Sequence, residues 1–235
     1  MRSKPTEFLA LGNALHLALE IAHKREKWDL KFAVEKFLTE FRRIVEDDEV
    51  FVTWPKMRKH EAEGVEMLER YDYGIQSGEI SSTPFDIEKE FRLPFEDEIA
   101  VVGKIDKVER TEEGRYIIID YKSGGKEPDE WFLDHDLQLT CYAWACQSMY
   151  GELPEKLIWH HLRSGKLIET HRTQRDIDEL KKMLHDALAM NRQGITYRVY
   201  HQQICGWCEF KGAVCDDREL EDNLMAQRAA LKVIQ

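Results

Sequence analysis

Three ionisable residues stand inside two apolar runs of the stretch VVGKIDKVERTEEGRYIIIDYKSGG, residues 101–125. Asp106 interrupts the first run, and Asp120 and Lys122 end the second. Two carboxylates held close together repel, so a proton or a cation must sit between them. A divalent metal with oxygen ligands resolves that conflict, and Mg²⁺ favours one or two carboxylates plus a substrate phosphate. An amine beside such a pair can polarise the scissile phosphate or help prepare the attacking water. The residue types therefore point to metal-assisted hydrolysis of a phosphate ester.

That chemistry requires the two runs to be adjacent strands in one register. TEEGR separates them, and Glu112-Glu113-Gly114 reads as a three-residue hairpin loop, a type I turn followed by a left-handed Gly. Thr111 then faces Arg115, and counting back sets Asp106 opposite Asp120, with Cβ atoms roughly 4.5–5.5 Å apart. Lys122 shares the face of Asp120, because strand side chains alternate. Ile117, Ile119 and Tyr121 take the other face and supply core. A slip of one residue would send the two Asp to opposite faces.

The rest of the chain frames this pair. Leu11, Leu15, Ala18, Leu19 and Ala22 recur at helical spacing and predict a helix over residues 7–27. Further helices are predicted over 30–46 and from Pro55 to about Gln76. The period then changes to two in FDIEKEFRLPF, residues 85–95, a half-buried strand. After the central pair come a loop with Asp129 as a helix cap and a helix through LQLTCYAWACQSMYG. A hairpin around Ser164-Gly165 follows, then an amphipathic helix ending at Gly194, a cysteine cluster and a polar C-terminal helix. The expected fold is α/β, a mixed sheet flanked by helices. Residues 1–80 form a helical part, 81–195 the α/β core and 196–235 the cysteine tail, all parts of one compact domain.

Composition narrows the function. The chain has 235 residues, 43% hydrophobic and 34% charged, with a net charge of −11. That balance excludes a polycation wrapped in nucleic acid but not a nuclease with a locally basic cleft. No apolar run reaches ~18 residues, so no membrane span is expected. The N-terminal stretch carries His16 and Glu20 in its apolar part and lacks an A-x-A site, which argues against a signal peptide and for the cytoplasm. No G-x-x-x-x-G-K-[ST] loop is present, so any helicase or recombination partner is a separate protein.

Read in order, G-x-x-D at Gly103 and Asp106, D-Y-K at Asp120, Tyr121 and Lys122, and Q-L-x-x-Y at Gln138, Leu139 and Tyr142 resemble the PD-(D/E)XK nuclease superfamily. The closest resemblance is to RecB-type exonuclease domains and the CRISPR-adaptation nucleases related to them, which also carry Gly and His four residues apart, here Gly12 and His16. The resemblance implies a restriction-endonuclease-like core and hydrolysis of DNA phosphodiesters at ends or in single strands. It implies Mg²⁺ or Mn²⁺ held by His16, Asp106, Asp120 and the Tyr121 carbonyl, with Lys122 as the catalytic lysine. Gln138 and Tyr142 would contact DNA or the shell of the site. Glu20, one turn beyond His16, either orients that ring or decorates the surface. Glu90, in the strand before the central pair, could face the site.

Cys205, Cys208 and Cys215 lie within eleven residues, a spacing that can hold zinc or an iron–sulfur cluster. Related nucleases hold a [4Fe–4S] cluster with three such cysteines and a fourth before the His motif. No Cys precedes His16 here, so the fourth ligand is missing or replaced; His201 would complete a zinc set instead. Cys141 and Cys146 read as packing residues. Two rivals to a nuclease are a noncatalytic DNA-end-binding module on the same fold and a structural zinc protein.

Overall fold

The computed structural model describes residues 6–47, 50, 52–96 and 98–193. Three helices come first: α1 (Glu7–His23), α2 (Leu30–Asp47) and α3 (Trp54–Ser77). Thr6 caps α1 by accepting the Leu9 N–H at 3.2 Å, and the helix ends where its apolar stripe ends, four residues before the predicted Lys27. Strands β1 (Asp86–Glu96), β2 (Ile99–Arg110) and β3 (Tyr116–Lys122) follow.

Between β3 and the next strand the structure has two helices where the sequence predicts one. Asp129 caps a five-residue helix, α4 (Glu130–Asp134), and Asp136 caps α5 (Leu137–Tyr150), each accepting a backbone N–H three residues on. Strands β4 (Lys156–His161) and β5 (Lys166–Thr170) form the expected hairpin, and α6 (Gln174–Arg192) closes the described chain. As far as Lys182 these elements belong to one unit, Lys4–Lys182; α6 from Met183 on falls to a second. Cys205, Cys208, Cys215, His201 and the predicted C-terminal helix lie outside the described residues.

The sheet has the order β1-β2-β3-β4-β5 and is mixed: β3 and β4 run parallel, and the other pairs are antiparallel. The parallel pair requires a crossover, which α4 and α5 supply. Central β3 is correspondingly the most buried strand. On one face Ile119, Tyr121 and Ile158 join the core of α1–α3 around Leu15, Leu19, Phe37, Phe41 and Leu68. Cys146 is buried and Cys141 half-buried on α5, both as free thiols. Among the described residues no helix is long and apolar enough to cross a membrane.

Candidate active site

The β2–β3 register is the one counted from the turn. Thr111 N–H donates to the Arg115 carbonyl at 2.8 Å, and Gly114 takes φ +86°, the left-handed value the loop demands. The ladder runs from Arg110↔Tyr116 to Lys107↔Ile119 and stops one step before Asp106 and Asp120. At that step the Asp106 side chain replaces the backbone: its Oδ2 accepts the Tyr121 N–H at 2.7 Å. Asp106 and Asp120 are both buried, 6% and 1% exposed. Lys122 Nζ lies 2.8 Å from Asp120 Oδ2, close enough for an ion pair but not aligned as a hydrogen bond.

Helix α1 lays Gly12, His16 and Glu20, spaced four apart, along one wall of the cleft above this hairpin. Gly12 permits the close approach, since a Cβ there would stand 3.1 Å from Ser123 Oγ. The His16 ring bridges two walls: Nε2 is 3.1 Å from the Tyr121 carbonyl, and Nδ1 is 3.3 Å from Asp106 Oδ1. Burial works against charge on this ring, but the carboxylates of Asp106 and Glu88 outweigh it and lift its pKa to about 10. In the cation-free cleft the imidazolium thus supplies part of the positive charge the carboxylates need, and a bound cation would displace that proton. Asp120 is pushed up to about 7, first by burial and then by Asp106, against the pull of Lys122 and His16.

Helix α5 holds the amine. Lys122 Nζ donates to Gln138 Oε1, Gln138 Nε2 donates to the Tyr142 hydroxyl, and that hydroxyl donates to the Lys104 carbonyl, at 2.7, 2.7 and 2.8 Å. One helical turn therefore ties Lys122 back to β2. Gly103 makes room for this: a Cβ there would fall 2.5 Å from Phe91 Cζ, and Phe91 packs edge-on against Tyr142.

The structure thus brings together His16, Asp106, Asp120, Tyr121, Lys122, Gln138 and Tyr142. Glu20 lines the cleft but pairs with Lys24, and the carboxylates beside the His16 ring are those of Asp106 and Glu88. Glu90 is exposed opposite Lys104 and is not among the residues lining the cleft. Glu88, two residues earlier, is the β1 carboxylate that lines it. The period-two pattern puts both on one face; only the path of β1 separates them.

The donors suit a hard divalent cation. One atom each from His16, Glu88 and Asp106 lie within 4.8 Å of one another, and Glu88 Oε1 is buried without a hydrogen-bond donor. Carboxylate oxygens, one imidazole and a backbone carbonyl match Mg²⁺ or Mn²⁺ better than a thiophilic metal. A mixed sheet flanked by helices, with such a cleft at the end of its central hairpin, has the geometry that metal-assisted hydrolysis of a phosphate ester requires. The family model of the PD-(D/E)XK nuclease superfamily matches residues 2–216, and the chain belongs to that superfamily. No curated protein matches the chain. A solved structure described as "Crystal structure of SSO0001" is 13% identical, covering 87% of this chain and 95% of its own, with a TM-score of 0.44. That likeness is too loose to carry a site or an activity across.

Proposed function

We propose that the protein is a divalent-cation-dependent deoxyribonuclease that hydrolyses phosphodiester bonds at DNA ends or in single strands. The observation behind this reading is the convergence of His16, Asp106, Asp120 and Lys122 in one cleft, in a chain of a nuclease superfamily. His16, Asp106, Asp120 and the Tyr121 carbonyl would hold Mg²⁺ or Mn²⁺. When bound, such a cation supplies Lewis-acid polarisation of the phosphate and an acidified water. Asp106 anchors β3 at the Tyr121 N–H, one residue before Lys122 and beside the peptide that carries the Tyr121 carbonyl. Lys122 offers an ammonium to the charge that builds on the phosphate oxygens, and Gln138 keeps it from swinging into solvent. Gln138 is itself exposed at the cleft, so it is also available to a DNA strand.

The order of motifs supports a finer placement among RecB-like exonucleases related to the CRISPR-adaptation nucleases, working in recombination, repair or phage DNA metabolism beside a separate helicase or recombination protein. For the tail, the spacing of Cys205, Cys208 and Cys215 supports a [4Fe–4S] cluster, with zinc as the alternative. An absorbance band near 400 nm in anaerobically purified protein separates the two.

The direct test incubates the protein with end-labelled single- and double-stranded DNA in Mg²⁺, Mn²⁺ or EDTA. Label is expected to be released only with the metal, and not by Asp120→Ala or Lys122→Ala. Cleavage that survives both substitutions overturns the site. Binding without cleavage under every condition favours a noncatalytic end-binding module.

A further inference from the structure

Glu88 faces the cleft without a task in the mechanism above. The β1–β2 ladder holds one register on both sides of it, Ile87↔Lys107 and Lys89↔Ile105, and skips Glu88 between them. By that count Glu88 stands opposite Asp106, as Asp106 stands opposite Asp120. Glu88 has φ +48°, the only positive φ of a non-glycine among the described residues. A left-handed Glu inside a strand persists only where its surroundings over-determine it, and such residues gather at functional sites.

The side chain is 6% exposed. Lys104 Nζ meets Oε2 at 2.6 Å. Oε1 has no hydrogen-bond donor and lies 3.8 Å from His16 Nδ1, too far for a hydrogen bond. A buried carboxylate oxygen left bare is unfavourable unless something cationic meets it. Lys104, whose side chain is 47% exposed, can leave towards solvent and free the second oxygen.

We propose that Glu88 is a direct ligand of the divalent cation, added to the four donors named above, and that Lys104 holds its position while the cation is away. This rests on reading the cleft as a cation site. β1 then contributes to the site through one backbone inversion, and Lys104 competes with the cation for the same carboxylate.

The test measures Mn²⁺ binding to the DNA-free full chain by electron paramagnetic resonance and calorimetry. Glu88→Gln is expected to weaken binding about tenfold or more, because an amide keeps the shape of the side chain but loses the charge. Lys104→Met is expected to tighten binding several-fold and to have no such effect in the Glu88→Gln background. Affinity within twofold of wild type in Glu88→Gln overturns the proposal. Should Glu88→Gln not fold, Lys104→Met decides alone, and unchanged affinity overturns it. Asp106→Asn is the control for the underlying reading. If it weakens binding while Glu88→Gln and Lys104→Met both leave affinity unchanged, Glu88 is no ligand and the cation site stands. If wild type binds no Mn²⁺ at millimolar concentration, both fall.

Discussion

The carboxylate of Asp106 accepts the backbone N–H of Tyr121 at 2.7 Å, doing for the β2–β3 pair what a ladder carbonyl does elsewhere. One side chain thereby ends the strand pairing, aims its second oxygen at His16 and holds the Tyr121 peptide. Asp106→Ala should leave that buried N–H unpaired and destabilise the fold by about 1–3 kcal/mol. Asp106→Asn, which keeps an acceptor, should stay near wild type. Chemical denaturation at pH 5.5, where Asp120 still holds its proton and does not repel Asp106, checks both.

Asp120 gives stability a pH dependence of defined sign. Its pKa is about 7 in the fold against an ordinary 3.8, so between those values the native state holds a proton that the unfolded chain releases. This group should withdraw stability from the cation-free protein as pH rises through that window, so wild type should lose stability relative to Asp120→Asn, with the relative loss complete above about 7. Asp120→Asn should be more stable than wild type at pH 8 by about 1–3 kcal/mol while binding Mn²⁺ far less tightly. Melting curves at pH 4 and 8 with EDTA, paired with calorimetry, test the two halves.

The two motif glycines should respond differently to alanine. At Gly103 the new Cβ meets the Phe91 ring at 2.5 Å, and Phe91 cannot move without disturbing Tyr142. Gly103→Ala should cost about 1–3 kcal/mol and lower DNA cleavage as well. At Gly12 the neighbour is a serine hydroxyl at 3.1 Å, and alanine favours a helix by about 1 kcal/mol. Gly12→Ala should fold with near wild-type stability. Urea midpoints and initial cleavage rates separate the two cases.

Gln138 offers a test of aim without packing. It is exposed, yet it bonds both Lys122 and Tyr142. Gln138→Ala should lower kcat about tenfold and leave the melting temperature almost unchanged. Steady-state kinetics on a labelled oligonucleotide, beside a melting curve, provides both readings.

Below the sheet, His160 is 1% exposed, stacks on Tyr71, and has an Nδ1 without a hydrogen-bond partner. Burial, then Lys107 and His161, depress its pKa from 6.5 to about 3, and His23 is depressed to about 3 by burial and Lys107. Both stay neutral in the fold while the unfolded chain gains protons below 6.5, so each withdraws stability as pH falls from about 6.5 towards 3. His160→Phe keeps the stack and removes one of these titrations. Its stability relative to wild type should grow as pH drops from 7 to 5, measured by denaturation at each pH.

Local rules carried much of this protein. Glu112-Glu113-Gly114 admits few turns, and that turn dictates a register that sets Asp106 opposite Asp120; Gly12, His16 and Glu20 share a helix face because four residues make about one turn. Whatever depends on strands distant in sequence was settled by the tertiary structure. No periodicity tells Glu88 from Glu90 on β1, since both fall on one face; the left-handed backbone at Glu88 and the pairing with β2 decide it. The chain from Lys122 through Gln138 and Tyr142 to the Lys104 carbonyl likewise joins β3, α5 and β2, and exists only once α5 packs across the sheet. Sequence alone settles which side chains share a face of one element, because backbone geometry repeats along it. Which faces meet is settled by packing and burial across the whole chain.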